Sequence, residues 1–318
     1  MKFTIACTIV AAALATPAAA QQFPVKPVRI IVPFPAGGGV DIVARSLAPH
    51  LSARWNQQAI VDNRPGAGTI IGTSLASNAP PDGYTLLLAN TAHAINASLH
   101  KSLPFHPVKS FAPVSLVATQ PSVVVVHPTV PAKSVKELIA LAKAQPSRLN
   151  FASSGNGTPP HLSAAMFQNM TGVKLTHVPY KGAAPALTDL LGGQVQLMFA
   201  TIISVGPHLP SGRLRPLAVT SAKRSAALPQ LPTVGETVPG FEATAWFMLM
   251  APAKTPNAIV QRLNQDVVAA VNRPEVKDRF AKDGAEVVGS TPEQARSFLE
   301  TEIARWGKVV ATANIQPE

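Results

Sequence analysis

The feature that most constrains this chain is a pattern of buried strand, glycine-rich loop and helix that occurs more than once. At its first occurrence, the branched apolar run Val28–Val32 is followed by two prolines, three glycines and an amphipathic helix that begins near Val40. The same order occurs again in residues 63–72, after a short strand at residues 59–62. Strands joined to helices in this way predict an α/β fold built on a parallel sheet.

The first glycine triplet, at residues 37–39, has the composition of an anion-binding loop. Glycines let backbone N–H groups converge without side-chain obstruction, and the helix that follows adds the positive end of its dipole. Such a loop suits a carboxylate or a phosphate. A tight strand-to-helix turn without a ligand has the same sequence, and both readings stay open for a lone glycine triplet.

Two further stretches belong to the same architecture. Residues 84–89 form a third apolar strand, and Asn90 and Thr91 follow at its carboxyl end, which is the edge where open parallel sheets bind ligands. In the second half of the chain, a strand at residues 149–152 leads into a glycine-rich loop from Ser153 to Thr158 and then into a helix that starts at Pro159. The sequence therefore predicts glycine loops in both halves of the molecule.

The order of the apolar runs predicts two domains. Runs at residues 111–117 and 122–127, separated by Pro121 and its neighbours, mark a first crossing, and the run at residues 245–251 marks the return. We expect a first domain of residues 21–121 and 246–318 and a second domain of residues 122–245. In the helices, Pro49 is expected to introduce a kink and Thr255 to cap a helix, and the last two helices are expected to end at Asp283 and near Ala313.

The first 20 residues have the layout of a secretory signal peptide, with Lys2, an apolar stretch and a small-residue run ending at Ala20. No later stretch approaches the roughly 20 apolar residues that a membrane span needs. The single cysteine, Cys7, lies inside this segment, so the mature chain has no disulfides. We therefore expect an exported protein of the bacterial periplasm that is stabilised by its core.

The charge of the chain favours anionic partners. Its formal net charge is +11, but the basic residues are scattered and aromatic residues make up only 5% of the chain, which disfavours nucleic acid. The eight histidines show no i, i+4 pair, so no metal site is expected. No cofactor is expected either.

Few side chains support catalysis. Ser154 and His161 are candidates for a nucleophile and a base, although the G-x-S-x-G motif is missing. Asp41 either compensates the helix dipole or orients a bound water or a ligand's amino group. Trp246 and Phe247 line a cleft or belong to the core. These alternatives stay open on the residues alone.

Taken together, these motifs resemble the Bug-type periplasmic solute-binding proteins of tripartite tricarboxylate transporters. The resemblance covers the whole mature chain and depends on residues 27–41, 62–68, 81–85, 151–157 with His161, 177–182, 217–220 and 231–234. It implies a two-domain Venus-flytrap fold, type II-like, with the domains joined by two crossing strands. It also implies a receptor, not an enzyme, which binds a small carboxylate as a monomer and delivers it to membrane permease subunits.

The resemblance further implies which residues bind the ligand. The opening loop is expected to hold a carboxylate through backbone groups and ordered water, and Asp41 is expected to position that water. The full set of expected ligand-binding residues is Ala36, Gly37, Gly38, Gly39, Asp41, Asn90, Thr91, Ser153, Ser154, Thr158, His161, Tyr180, Ala200 and Thr201.

Two positions depart from the family pattern. Many relatives carry a hydroxyl residue where this chain has Val40 and an aspartate where it has Ala200. Both changes make the cleft less polar, which predicts a ligand without an amino group, such as an aliphatic or aromatic carboxylate. The alternative functions are an exported serine hydrolase or esterase using Ser154 and His161, and a ligand sensor for a signalling partner.

Overall fold

The computed structural model describes residues 23–282 and 284–312 of the chain. The predicted signal peptide at residues 1–20 and the predicted helix ends at Asp283 and Ala313 lie outside these ranges. Within them, no helix combines the length and the apolar character that a membrane crossing requires.

Strands and helices alternate along most of the described chain. The strands are β1 Val28–Val32, β2 Ala59–Asn63, β3 Thr85–Asn90, β4 Phe111–Val126, β5 Asn150–Ser153, β6 Thr176–Pro179, β7 Leu197–Thr201, β8 Arg215–Val219, β9 Thr244–Pro252 and β10 Glu286–Val287. The helices are α1 Gly39–Trp55, α2 Ile70–Ser77, α3 Thr91–Leu99, α4 Val135–Ala144, α5 Pro159–Thr171, α6 Ala183–Leu191, α7 Ile202–Val205, α8 Asn257–Val271, α9 Pro274–Lys282 and α10 Pro292–Thr312.

The strands β2-β1-β3-β9-β4-β7-β5-β6 pair in this order to form one sheet with two parallel regions, and β8 and β10 pair with β4 beside this path. In the first region β1 lies between β2 and β3 and is parallel to both, and β9 runs antiparallel between β3 and β4. In the second region β5 lies parallel between β6 and β7, and β7 and β8 pair antiparallel with the end of β4. We call these regions, with their helices, the first lobe and the second lobe. The predicted α/β class is confirmed.

The long strand β4 connects the two lobes. Its first part pairs with β9 as far as Pro121, and from Ser122 onwards it pairs with β7. Two separate strands were predicted here, because a proline such as Pro121 usually interrupts a strand. That prediction is wrong. Pro121 lies where the pairing partner changes, so the missing N–H interrupts no continuous ladder.

The helices differ from the predictions in two places. Helix α1 contains Pro49 and ends at Trp55, and the kink expected at Pro49 stays a prediction. Thr255 does not cap α8, because its hydroxyl donates to the Pro252 carbonyl and the helix begins at Asn257. Helix α3 was not predicted, since seven of its nine residues are buried and the sequence shows no polar face.

The core is apolar and continuous through both lobes. On one side of the first lobe, α1 and α8 pack on strand residues such as Ile30, Leu88 and Leu249. On the other side, a second cluster runs from Leu87 in the first lobe to Phe151 in the second. These clusters fix the sheet edges at which β1, β3, β5 and β7 end, so the loops after these strands meet between the lobes.

Candidate ligand-binding cleft

A cavity lies between the lobes at the carboxyl ends of these strands. The cavity has a volume of about 40 Å³, which is room for a few water molecules. Its lining residues are Phe34, Gly38, Gly39, Val40, Asn90, Ser154, Pro159, Pro160, Ala183, Met198, Thr201, Ser204, Ala245 and Phe247. Both lobes contribute, and β9 of the first lobe supplies Ala245 and Phe247, so this is an interlobe cleft.

Several helices begin at this cavity. The first residues of α1, α5 and α6 line it, and so do Asn90 and Thr201, which are the N-cap residues of α3 and α7. None of the described residues that line it carries a charged side chain. Because each helix start carries a partial positive charge, the electrostatic field in the cleft favours an anion.

Helix α1 presents unpaired donors to the cavity. Its N-cap, Gly38, has no side chain to accept from the first turn, and the first hydrogen bond of the helix joins the Ile42 amide to the Gly38 carbonyl. Among the described residues, no hydrogen bond is donated by the Gly39 or Val40 amide. Two N–H groups on a 17-residue helix are therefore available to a ligand.

The Asp41 side chain is hydrogen-bonded to the first glycine loop, residues 33–38. This carboxylate is only 2% exposed and accepts hydrogen bonds from the Gly37 amide, the Arg45 guanidinium and the Asn63 side chain. Burial raises the pKa of Asp41, but the three donors outweigh burial and hold this pKa below its ordinary value. The carboxylate is therefore ionised and already bonded within the protein.

The second glycine loop, residues 154–158, uses its polar groups internally. The Gly155 amide donates to the Ser153 hydroxyl, and the Thr158 hydroxyl donates to the Gly155 carbonyl at 2.6 Å. Helix α5 then begins with Pro159 and Pro160, which carry no N–H. This loop closes the cleft with an apolar wall and offers few backbone donors.

A stack of rings supports the second glycine loop. The imidazoles of His161 and His177 lie 4.1 Å apart with planes within 6° of parallel, and His177 also stacks on Phe151. His161 Nδ1 accepts from the Gly157 amide, and His177 Nε2 lies 2.6 Å from the Ser153 hydroxyl. Burial lowers the pKa of His177 to about 4, so its ring is neutral at pH 7.

The structure brings some of the predicted site residues together at the cavity and places others elsewhere. Five line it, namely Gly38, Gly39, Asn90, Ser154 and Thr201. The remaining nine do not line it, namely Ala36, Gly37, Asp41, Thr91, Ser153, Thr158, His161, Tyr180 and Ala200.

Specific contacts explain why several of the nine lie away from the cavity. The Thr91 hydroxyl is fully buried and accepts from the Trp246 amide. Tyr180 donates to the Asp189 carboxylate at 2.7 Å, and burial together with Asp189 raises the pKa of this phenol to about 12. Ala200 is fully buried in the core of the second lobe. Asp41 is bonded to the first loop and its neighbours, as described above.

The sequence analysis did not assign most of the apolar lining to the site. The residues it missed are Phe34, Pro159, Pro160, Ala183, Met198, Ser204 and Ala245, and it left Phe247 undecided. Phe247 both belongs to the core and lines the cavity, whereas the Trp246 indole is buried and donates to Glu302. The available signal was position, since most of these residues flank the glycine loops or follow strand ends.

The structure gives no support to the alternative function of serine hydrolase. Ser154 lines the cavity but His161 does not, and His161 Nδ1 is occupied by the Gly157 amide. A general base needs a free nitrogen within reach of the nucleophile. In the parts of the chain that the structure describes, there is also no cluster of metal-binding side chains.

Sequence and structure comparisons agree with this geometry. Residues 43–315 match the family described as tripartite tricarboxylate transporter family receptor. Protein BugT of Bordetella pertussis is 40% identical over 305 residues, covering 95% of this chain and 94% of BugT.

Three solved structures are similar over nearly the whole chain. A protein of R. palustris solved with adipate is 39% identical, with a TM-score of 0.90 over 93% of this chain and all of its own. The periplasmic binding protein BugD is 35% identical, with the same TM-score and coverage. MatC of Rhodopseudomonas palustris, solved with malate, is 32% identical, with a TM-score of 0.87 over 91% of this chain and all of its own.

These relatives are binding and receptor proteins, and the solved ones are periplasmic binding proteins with a two-domain fold. The predicted receptor class and fold are therefore confirmed, and the hydrolase alternative is set aside. The chain belongs to the receptor family of the tripartite tricarboxylate transporters.

Proposed function

We propose that this protein binds a small carboxylate in the interlobe cleft and delivers it to the permease subunits of a tripartite tricarboxylate-type transporter. The observation that carries the proposal is the pair of unpaired amides, Gly39 and Val40, at the start of α1. They face a cavity without charged side chains, so backbone donors and helix dipoles supply the attraction for the acid group. The adipate and malate found in two relatives support this class of ligand.

The lining supports a ligand with an apolar body. Phe34, Val40, Met198 and Phe247 provide apolar surface, and polar side chains contribute only Asn90, Ser154 and the Thr201–Ser204 hydroxyl pair, whose oxygens lie 2.7 Å apart. An ammonium group would find no carboxylate among the lining residues, and desolvating it there is costly. We therefore favour aliphatic and aromatic acids over aspartate or glutamate.

The proposed ligand site is the interlobe cavity, and it includes some of the ligand-binding residues that the sequence predicted. Gly38, Gly39, Asn90, Ser154 and Thr201 are the predicted residues that we retain as ligand contacts. The Asn90 side-chain oxygen accepts from the Ala92 amide, which leaves its NH₂ group to donate toward the cavity. We place the second carboxylate of a dicarboxylate at the Thr201–Ser204 pair.

The protein is proposed to act as a periplasmic monomer after removal of the signal peptide. We propose domain boundaries at 121/122 and 245/246, because β4 changes its partner from β9 to β7 between Pro121 and Ser122. The lobes would then move about β4 and β9 when the ligand enters.

Analytical ultracentrifugation with and without ligand tests whether the protein is a monomer in solution.

A thermal-shift screen tests the proposed function. Wild-type protein is heated with monocarboxylates, dicarboxylates, tricarboxylates, aromatic acids, aspartate and glutamate. We expect stabilisation by at least one acid that lacks an amino group, because a ligand that binds only the folded state raises the midpoint of unfolding. Stabilisation by aspartate or glutamate alone would overturn the ligand class, and no shift with any acid would overturn the function.

A further inference from the structure

A buried negative charge lies directly behind the anion-binding face of the first glycine loop. The Asp41 side chain is 3% exposed and its residue is two positions after Gly39, which lines the cleft. An uncompensated carboxylate at this place would repel a bound acid, since charges interact strongly where water is excluded. The proposed function therefore requires that this charge be cancelled.

The carboxylate of Asp41 is surrounded by donors. Arg45 Nε lies 3.0 Å from Oδ1 and 2.9 Å from Oδ2. Asn63 Nδ2 donates to Oδ1 at 2.9 Å, and the Gly37 amide donates to Oδ2 at 2.9 Å. Both oxygens are thus occupied by the protein, which leaves Asp41 poorly placed to hold a ligand or its water.

The same side chains also hold the two ends of the loop. Asn63 Nδ2 reaches the Phe34 carbonyl at 3.0 Å, and Arg45 Nη2 donates to Asn63 Oδ1 at 3.0 Å. Phe34 stands at the start of the loop and Gly37 near its end, so one network connects both ends to α1 and to the end of β2. The loop is therefore positioned by side chains that do not line the cavity.

We propose that Asp41, Arg45 and Asn63 form a charge-compensated brace, which sets the shape of the first glycine loop and cancels the negative charge behind it, so that the loop accepts an acid group. The three are positioning residues and make no contact with the ligand. This inference rests on the proposed function, and it assigns to Asp41 a role different from the water-positioning role expected from the family resemblance.

The other ion pairs around α1 in the described chain involve different carboxylates. On the strands that pack against α1, Asp62 pairs with Arg29 at 3.6 Å and with Arg64 at 2.9 Å. On α1 itself, His50 faces Glu275, and Arg54 pairs with Asp266 of α8. Among these pairs in the described chain, Arg45 alone supplies a cation to Asp41.

Three variants separate charge compensation from direct contact. Adipate is the probe, and its affinity is measured by calorimetry for Arg45→Met, Asp41→Asn and the double variant. We expect Arg45→Met to weaken binding by about tenfold or more, Asp41→Asn by about threefold or less, and the double variant to match Asp41→Asn. If Asp41→Asn costs as much as Arg45→Met and the double variant is worse than either, Asp41 contacts the ligand and the proposal is wrong.

The pH profile gives a readout that a purely structural role would not change. In Arg45→Met the burial of Asp41 is no longer opposed by a cation, so the pKa of this carboxyl rises. Relative to the wild type at the same pH, the variant should regain adipate affinity as the pH falls from 8 toward 5 and Asp41 takes up a proton. The comparison is made at equal pH because the carboxyls of adipate also take up protons near pH 5. A constant ratio of the two affinities across this window would contradict the proposal.

A matched control and a ligand-free measurement complete the test. Arg54→Met removes an arginine of the same helix that pairs with the buried Asp266, which keeps Arg262 as a second partner, and should leave adipate affinity within about twofold. Without ligand, Arg45→Met should unfold at a lower temperature near pH 8 than the double variant does, and the two should converge near pH 5.

The ligand-binding and ligand-free measurements together distinguish a failure of the inference from a failure of the proposed function. If the wild type binds no acid in the screen, the proposed function fails while the ligand-free comparison still tests the brace. If Arg45→Met and the double variant unfold at the same temperature across this pH range, charge compensation by Arg45 is refuted, whatever the ligand.

Discussion

The two glycine loops have the same sequence pattern and opposite uses. The first loop, between β1 and α1, bonds its Gly37 amide to Asp41 and leads into a helix whose Gly39 and Val40 amides donate no hydrogen bond within the described chain. In the second loop, between β5 and α5, the Gly155 and Gly157 amides are bonded to side chains of the same lobe. The first loop offers donors to the cleft, and the second forms a wall.

The difference shows that glycine content does not determine anion binding. Two conditions determine whether such a loop binds an anion. Nearby hydroxyl and imidazole groups must not accept hydrogen bonds from its amides, and the helix that follows must begin with residues that carry N–H groups. Helix α1 begins with Gly39 and Val40, whereas α5 begins with two prolines. The following predictions test this asymmetry, starting with the largest expected effect.

Gly38→Val should block the first loop. The φ of Gly38 is −82°, which any residue adopts, and an added Cβ would lie 3.9 Å from the Ala183 Cβ across the cleft. A branched side chain then occupies the space of the ligand, so we expect carboxylate affinity to fall by about 2–3 kcal/mol, roughly 30-fold to 150-fold. The midpoint of thermal unfolding should change by about 2 °C or less.

Gly206→Val is the control for this substitution, because a Cβ at Gly206 meets no atom within 4 Å. Calorimetric titration with an acid that stabilises the wild type should give unchanged affinity for this control. Unchanged affinity of Gly38→Val would remove the first loop from the site.

Thr158→Val should affect the second loop in the opposite way. It removes the hydroxyl that donates to Gly155 and keeps the shape of a fully buried side chain. The Gly155 carbonyl keeps the Thr158 amide and the Ser153 hydroxyl as donors, so losing this bond should lower the free energy of unfolding by about 1 kcal/mol. Affinity should stay within about threefold of wild type, because this hydroxyl does not line the cavity.

Denaturant unfolding and calorimetry of the same preparation measure both effects of Thr158→Val. A tenfold loss of affinity with unchanged stability would show that the Thr158 hydroxyl contacts the ligand, and the two loops would then be alike in use.

Acid should loosen the second loop and spare the first. The folded pKa of His177 is about 4, below the ordinary value of 6.5, so the unfolded chain binds more protons between these values. Stability is therefore lost as the pH falls from about 6.5 toward 4, and with a discount for partial exposure we expect His177 to contribute about 1 kcal/mol. The lowered pKa of Asp41 keeps the first loop unaffected in this window.

Denaturant unfolding near pH 7 and near pH 5 measures this contribution, with His177→Gln as the comparison. The buried His93, whose pKa burial also lowers to about 4, is common to both proteins and cancels in the difference. Equal losses of stability in the wild type and in His177→Gln would contradict the assignment.

Tyr180→Phe should have the smallest effect. Tyr180 follows β6 in the second lobe and donates to Asp189, but it does not line the cavity. Losing this partly buried hydrogen bond should cost about 0.5–1.5 kcal/mol of stability and leave affinity unchanged. A clear loss of affinity, measured by calorimetry, would return Tyr180 to the ligand site.

The sequence predicted the parts of the fold that depend on local pattern. The apolar runs located β1, β3 and β9, and the glycine loops located the sheet edge at which the cleft opens. The sequence did not reveal α3, because burial on nearly all sides removes the polar face that marks a surface helix. It also split β4, because proline is tolerated where a strand changes partner.

The site was predicted only in outline for a physical reason. Whether an amide is free depends on contacts between residues that are distant in the sequence, such as Asn63 with Asp41 and Ser153 with His177. The positions of Gly38, Gly39 and Asn90 at the cavity follow from strand ends and were accessible to sequence reasoning. The roles of Asp41 and Thr158 within their loops were not.

The most direct test of the central claim is an amide-resolved NMR titration of deuterated protein with adipate. The account predicts that the amide protons of Gly39 and Val40 shift downfield as they begin to donate to the acid, while those of Gly155 and Gly157 keep their present partners and shift little. Large downfield shifts at Gly155 and Gly157 with unchanged signals at Gly39 and Val40 would contradict it.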